Sequence, residues 1–452
     1  MARFNRIFNA MSKSVLVLGA GRSSSSLISY LLGHAQKSDW TITVGDVALP
    51  AAQDRVGTLG KAIHFDIQDE QQSRATIQSA DVIISMIPAH LHVQVAKICL
   101  SLNKHLLTAS YVSEDMKSLH KEAFKKNLLF LNECGLDPGI DHMSAMKLID
   151  HIKDHGGELL SFESFTGGLI APETDPDNPW RYKFTWNPRN VVMAGQGTAK
   201  FLQQGQFKFV PYQQLFKRIT SVTVPGYGEF EGYANRDSLK YREVYGLQNI
   251  QTMLRGTLRN KGYCSAWDIL VQLGCTDDTY AMEGVATMTH RDFINTFLNF
   301  DLHKSVEEKI LSQFNIKKEE PEFVRLSWSG LFSQDKIGLE KGTPAQVLEH
   351  ILNKRWRLNP ADKDFVVMWH RFVFNEKGKR REIQASLVAK GDDSVNTAMA
   401  KTVGLPLGIA AKLLLGNKIQ TRGVTIPTTK EFYDPILREL KSMGIELVER
   451  EI

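Results

Sequence analysis

The stretch from Lys13 to Ser26, KSVLVLGAGRSSSS, constrains the fold of this chain more than any other. Val15, Leu16, Val17 and Leu18 form an unbroken apolar run, the pattern of a parallel strand covered on both faces. Gly19 and Gly21 then turn the chain. Glycine there lets the backbone bend sharply and lets a dinucleotide pyrophosphate approach the amides, and Ser23 to Ser26 are expected to cap the helix that follows. Leu27 and Leu31, like Ile28 and Leu32, repeat at four-residue spacing, so one helix face can lie on a sheet. The third small position is Ser24 instead of glycine, and the motif alone fits a tight turn as well as a cofactor cradle. Its context favours the cradle. A second predicted strand, Trp40 to Val44, leads to Asp46, about 20 residues past the glycines, where a carboxylate accepts hydrogen bonds from an adenosine ribose and repels a 2′-phosphate. This predicts NAD over NADP; the plainer alternative is that Asp46 begins a solvated turn.

Strand and helix signals then alternate: strand Ala62 to Ile67, helix Gln71 to Gln78, strand Asp81 to Ile87, helix Val93 to Leu102, strand His105 to Ala109, a helix capped by Ser113, and a sixth strand Leu128 to Leu131. The expectation is an α/β, doubly wound parallel sheet of Rossmann type. Ligands bind such sheets at the carboxyl ends of the strands, which places the loops at Gly19, Asp46, Asp66, Ser85 to Pro88 and Ser110 to Tyr111 around one crevice. Asp137 with Pro138 is a natural helix start; the same carboxylate beside a cofactor can also bind a substrate ammonium. His90, His92 and His142 read as helix-start or packing histidines in preference to proton carriers.

From Leu159 the period changes to that of strands and hairpins, at Ser161 to Thr166, Phe207 to Val210, Ser221 to Val224 and Glu229 to Tyr233, which marks a second, α+β domain. The intervening segment 167–186, rich in Gly, Pro and Asp, is expected to be an ordered loop over the crevice. Two arginine clusters follow, at Arg236 and at Arg255 to Arg259; guanidinium groups grip carboxylates bidentately, although a single arginine is more often a surface ion-pair partner. Trp267 to Leu352 reads as a helical insertion. Phe365 to Phe374 and Arg381 to Val388 flank NEKGK as a long hairpin expected to rejoin the second sheet; its aromatic face offers a dimer surface, and the same residues can also pack internally. Helices are expected at Thr397 to Leu415 and Pro435 to Ser442. The expected domains are 1–136 with helices 425–452, then 137–265 with 355–424 for substrate binding and dimerisation, and 266–354.

A chain of 452 residues is long enough for two or three cores. Its 55 basic and 50 acidic residues are dispersed, which argues against a nucleic-acid partner. No unbroken apolar run approaches the ~18 residues of a membrane span, and a soluble, cytoplasmic protein is expected. Arg3 and Arg6 lie in a short basic start read as a frayed terminus, with Met11 an alternative initiator. Cys99, Cys134, Cys264 and Cys275 have no metal-ligand spacing; reduced thiols and no metal are expected, with Cys134 a buried small residue.

Taken together, GAG (19–21), SMIPAHLH (85–92), TASYVS (108–113), ECGLDPGIDHM (133–143), RYKFTW (181–186), YANRDS (233–238), LRGTLRNKGY (254–263) and AMAKTVGLP (398–406) resemble the saccharopine dehydrogenases, most closely the glutamate-forming enzymes and the dehydrogenase half of the bifunctional lysine-degrading enzyme. The resemblance implies a homodimeric oxidoreductase that, with a nicotinamide cofactor and water, converts saccharopine to 2-aminoadipate 6-semialdehyde and glutamate, or the reverse. It implies substrate contacts at Ser110, Tyr111, Asp137, Arg236, Thr257, Leu258 and Arg259, with Tyr111 and Asp137 the candidate proton carriers. Cofactor contacts are implied at Ala20, Arg22, Ser23, Asp66, Ile67, Ile87 and Trp186, beside Gly19, Gly21 and Asp46. NADP-using members carry an arginine after the second strand, where this chain has Val44-Gly45-Asp46-Val47, a second reason to expect NAD. A dehydrogenase of another secondary amine, such as a carboxylated polyamine, and a non-catalytic NAD-binding regulator are the competing readings.

Overall fold

The computed structural model describes residues 12–452, so the readings of Arg3, Arg6 and Met11 lie outside the described residues. The chain forms two compact units. The first runs to Lys147 and takes in Ala400–Met443; the second holds Leu148–Met399 and Gly444–Ile452.

In the first unit β1 (Lys13–Leu18), β2 (Trp40–Asp46), β3 (Lys61–His64), β4 (Val82–Ser85), β5 (His105–Thr108), β6 (Leu129–Leu131) and β15 (Gly423–Thr425) build one sheet in the order β15-β6-β5-β4-β1-β2-β3, every pair parallel. The reversal of strand order beside β1 is the switch point at which such sheets open a ligand crevice. Val15 to Leu18 and all of β4 are buried, as a sheet covered on both faces requires. On one face Leu16, Leu18, Ile83, Leu106 and Phe130 pack with Val95 and Cys99; each such buried side chain contributes roughly 1.5–3 kcal/mol. The seventh strand, β15, was not expected: three residues joining β6 from far along the chain carry no periodicity of their own. The expected strands 62–67 and 81–87 end earlier, at His64 and Ser85, and the last rungs of their ladders are the Phe65 and Met86 amides on the Asp46 and Leu18 carbonyls.

The second unit is a mixed sheet. Its path is β10 (Ile219–Val224), β11 (Gly228–Ala234), β12 (Thr252–Asn260), β7 (Glu158–Ile170), β13 (Asp364–Glu376), β14 (Lys379–Lys390) and β16 (Leu447–Glu451), with β8 (Thr198–Gln203) and β9 (Gln206–Pro211) as a side hairpin. Only β7 and β12 pair in parallel along that path. The β13–β14 hairpin turns on Lys377 and Gly378, both with positive φ (50° and 78°), which matches the strand twist. The segment 167–186 is not all loop: Gly167 to Ile170 continue β7, opposite Val367 to Asp364 in register. A Cβ on Gly167 would lie 2.5 Å from the Leu258 carbonyl oxygen, so the glycines that look like loop residues are there for close packing. Beyond them Trp180, Tyr182 and Phe184 are buried with Tyr263, Trp267 and Trp356 in a nest of edge-on and tilted rings.

The helix Ala398–Leu415 is long and apolar enough by composition to cross a membrane, with mean hydropathy 1.4, but 72% of it is buried inside the protein, as in a core helix. Its first amides, Ala398 and Met399, donate to the fully buried carboxylate of Asp364 on β13, 2.5 and 2.9 Å away. All four cysteines are buried free thiols, and no group of three metal-ligating side chains occurs among the described residues.

Candidate active site

The carboxyl ends of β1, β2 and β4 converge on Gly19. Its amide donates to the Gly45 carbonyl (2.7 Å) and the Met86 amide to the Leu18 carbonyl (2.7 Å). At φ 105°, a Cβ here would meet the Met86 carbonyl group at 2.9 Å, so only glycine fits. Gly21 is the opposite case: a Cβ on it would meet nothing within 4 Å. The turn therefore presents open backbone on its outer side, the room a cofactor pyrophosphate needs. Arg22 and Ser23 lie in the single 3-10 turn that follows, before the helix Ser25–Ser38. The expected serine cap is not what the sequence suggested: Gly21 and Ser24 make no side-chain cap, and the Ser24 hydroxyl donates back to the Gly21 carbonyl (2.9 Å).

Asp46 closes the turn from β2. Its Oδ2 accepts the Ala20 amide at 2.7 Å and its Oδ1 the Ala48 amide at 2.8 Å. Asp66 sits beyond β3, where Phe65 donates to the Asp46 carbonyl, and its Oδ1 accepts the Gln68 amide (2.9 Å). Ile67 is buried, and its carbonyl receives the Gln94 amide group (2.9 Å). Ile87 stands two residues past β4, its amide 3.2 Å from where a Gly19 Cβ would stand. Gly19 to Ser23, Asp46, Asp66, Ile67 and Ile87 thus share the carboxyl edge of one sheet, which fits a dinucleotide.

Ser110 and Tyr111 leave β5 at the same edge. The Tyr111 hydroxyl donates to Asp137 Oδ1 (3.1 Å), so the two candidate proton carriers are in contact. Asp137 precedes a cis proline in a loop folded tightly on itself: the Gly135 amide bonds the Pro138 carbonyl, and a Cβ on Gly139 (φ 147°) would overlap the Gly135 backbone at 2.1 Å. The helix begins only at Ile140, and Asp141, not Asp137, receives the Gly139 amide (2.6 Å). The neighbouring Glu133, buried and at φ 53°, accepts the Val112 amide (3.0 Å) and His142 Nε2 (2.8 Å), tying the Tyr111 loop to that helix.

Ser110 has a partner that no local sequence pattern singles out. Its Oγ lies 2.8 Å from Nε2 of His92, whose Nδ1 lies 2.8 Å from Ser85 Oγ. Burial, reinforced by nearby His90, pushes the His92 pKa down to about 4, so the ring is neutral.

In the second unit Thr257, Leu258 and Arg259 are consecutive on β12, and Thr257 pairs with Tyr233 on β11 and Thr166 on β7. Leu258 is a core residue that contributes backbone. Arg259 is only 3% exposed; its Nη1 donates to the Leu258 carbonyl (3.0 Å), and its guanidinium lies 5.1, 5.2 and 5.8 Å from the ring centres of Tyr182, Tyr263 and Tyr233. Its Nε and the hydroxyls of Tyr182 and Tyr233 are buried without hydrogen-bond partners among the described residues. Burial holds the Tyr233 phenol neutral, at about 12. Arg236 is exposed in the turn after β11, at φ 47°, its carbonyl fixed by the Lys200 amide (2.7 Å). Trp186 is partly buried against the second unit's core.

Residues 15–131 match the family model for the saccharopine dehydrogenase NADP binding domain, and residues 135–445 that for the saccharopine dehydrogenase C-terminal domain. The saccharopine dehydrogenase [NADP(+), L-glutamate-forming] of Saccharomyces cerevisiae is 33% identical over 98% of this chain and 100% of its own length. The mitochondrial alpha-aminoadipic semialdehyde synthase of Rattus norvegicus is 35% identical over 96% of this chain, which spans 47% of that relative's length. A solved apo saccharopine dehydrogenase (L-Glu forming) from S. cerevisiae superposes with a TM-score of 0.88 at 31% identity, covering 98% of this chain and 100% of that one.

The expectation of NAD in preference to NADP is overturned. The matched N-terminal model is an NADP binding domain, and full-length relatives from S. cerevisiae and Schizosaccharomyces pombe carry NADP(+) in their names. Asp46 braces the glycine turn, each of its oxygens accepting a backbone amide, so its spacing from the glycines is accounted for without a ribose and does not by itself select the cofactor. With family models matching residues 15–131 and 135–445 and a fold superposing over 98% of the chain, the chain belongs to the saccharopine dehydrogenase family.

Proposed function

We propose that this chain is an NADP(+)-dependent saccharopine dehydrogenase of the glutamate-forming type. Saccharopine, water and NADP(+) give L-glutamate, 2-aminoadipate 6-semialdehyde, NADPH and a proton. The observation that carries the reading is the hydrogen-bonded pair Tyr111–Asp137 next to the glycine turn's carboxyl edge. When bound, the cofactor supplies a hydride acceptor. Gly19 to Ser23 would hold its pyrophosphate, with Asp46 keeping the Ala20 amide in place. Asp137 attracts the secondary ammonium of the substrate, and Tyr111, by donating to Oδ1, fixes the carboxylate's orientation. After oxidation of the carbon–nitrogen bond, the same pair stands ready to take a proton from the water that adds to the imine and to return one to the departing glutamate nitrogen. Arg236 and Arg259 are assigned to substrate carboxylates, the chemistry that guanidinium groups match bidentately.

Initial rates with saccharopine, read as reduced cofactor with NADP(+) and NAD in parallel and with glutamate quantified, test the proposal. Turnover that releases glutamate is expected; cofactor binding without turnover would refute it. Arg236→Ala should raise KM for saccharopine and leave the NADP(+) affinity unchanged. A parallel loss of both would place Arg236 outside the substrate site.

A further inference from the structure

We propose that His92 is a positioning residue, which fixes the hydroxyl of Ser110 for the substrate. The inference rests on the reading of Ser110 as a substrate contact. His92 is the first residue of the helix His92–Ser101 and is 4% exposed. It stands over the carboxyl ends of two neighbouring strands. Ser85 and Thr108 are paired in register there, both buried, and the ring reaches across them to Ser110. One ring nitrogen meets Ser85 Oγ at 2.8 Å; the other meets Ser110 Oγ at 2.8 Å and Thr108 Oγ1 at 3.1 Å. The Thr108 hydroxyl also accepts the Ser110 amide (3.3 Å), so both the backbone and the side chain of Ser110 are anchored to this cluster.

A histidine that merely packs at a helix start needs one satisfied nitrogen. Here both are used, by hydroxyls from three residues, and one of the three is adjacent to Tyr111. A neutral imidazole has one donor and one acceptor nitrogen, so it sets a polarity along the chain of hydroxyls. If Nδ1 accepts from Ser85, Nε2–H donates to Ser110, and Ser110 is left with its own O–H to give. That is the polarity a substrate carboxylate or an amine lone pair calls for. The opposite tautomer would leave only lone pairs outward.

The test is a double-mutant cycle on the full chain. The amide of His92→Asn reaches the position of Nδ1 and keeps Ser85; that of His92→Gln reaches the position of Nε2 and keeps Ser110. His92→Asn is expected to lower kcat/KM for saccharopine on the order of 10- to 100-fold, as lost outer-shell partners do, with NADP(+) affinity unchanged. His92→Gln should recover part of the loss. Ser110→Ala with His92→Asn should be no worse than Ser110→Ala alone; effects that multiply, a silent His92→Asn, or an equal loss of NADP(+) affinity would each overturn the proposal. Imidazole nitrogen NMR of the substrate-free protein reads the bond itself: Ser110→Ala should shift one His92 ring nitrogen, and no shift refutes the link even if Asn disturbs folding. Absence of wild-type turnover with saccharopine would defeat the functional reading separately, leaving the ring shift to decide whether His92 holds Ser110.

Discussion

Replacing His105 by asparagine should remove a specific part of this protein's sensitivity to acid. The ring sits at the start of β5, and its Nδ1 accepts the Leu129 amide from β6 at 2.9 Å, so its single proton belongs on Nε2. Burial, helped by the charge of Arg422, lowers its pKa from 6.5 to about 4. A second proton would break the bond to β6 and add a cation beside that arginine. As pH falls, the unfolded chain takes up this proton before the folded one does. The stability supplied by the neutral ring is therefore complete above pH 6.5 and is lost between there and about pH 4. At about 1.4 kcal/mol per pH unit, moving to about pH 4.5 costs ~3 kcal/mol. Asparagine can accept the same amide through its side-chain oxygen and has no proton to gain. Urea unfolding at neutral pH and near pH 4.5, wild type against His105→Asn, isolates the effect, because every other titrating group is common to both. The wild type should lose ~2–3 kcal/mol more than the variant. Equal losses would show that the ring titrates alike in both states and would refute the argument.

Three further outcomes follow from the site. Asp46→Ala removes a carboxylate from two backbone amides, each such bond being worth ~1.5–3 kcal/mol; NADP(+) binding measured by fluorescence should weaken at least about tenfold, whereas tighter binding at unchanged stability would mean that Asp46 only repels phosphate. Gly139→Ala forces a Cβ onto the Gly135 backbone; saccharopine turnover should fall on the order of 100-fold through displacement of Asp137, and near-normal kcat/KM would contradict the assigned role of that loop. Glu133→Ala removes the acceptor of the half-buried Val112 amide and of buried His142; a loss of ~2–5 kcal/mol is expected in chemical denaturation, and a change under about 0.5 kcal/mol, the scale of a surface substitution, would deny Glu133 its bracing role.

The first sheet was largely legible because a two-sided parallel strand writes a continuous apolar run, and Val15 to Leu18 and Val82 to Ile84 do so. Arg259 was chosen for its chemistry while β12, which carries it, went unseen: Arg-Gly-Thr-Leu-Arg has neither alternation nor bulk, because one face must admit the Phe165 ring against Gly256 and the other buries two arginines against tyrosine rings. Asp46 was found at the right place and given the wrong task, since spacing does not say which way a carboxylate turns. His92 was passed over for a similar reason. Its partners lie on two strands that come together only in the folded sheet, and no local pattern marks a histidine held by hydroxyls.

The buried carboxylate of Asp364 has a bearing on the order of assembly. A helix whose first amides are received by a side chain 34 residues upstream draws part of its beginning from another element. Until β13 is laid into its sheet, the start of the apolar helix Ala398–Leu415 lacks this acceptor, so its first turn should gain protection from amide exchange in step with β13 and not before it. The sheet in this way acts as a checkpoint on the one segment among the described residues that is apolar enough to cross a membrane, which gains this part of its start where a core is ready to receive it.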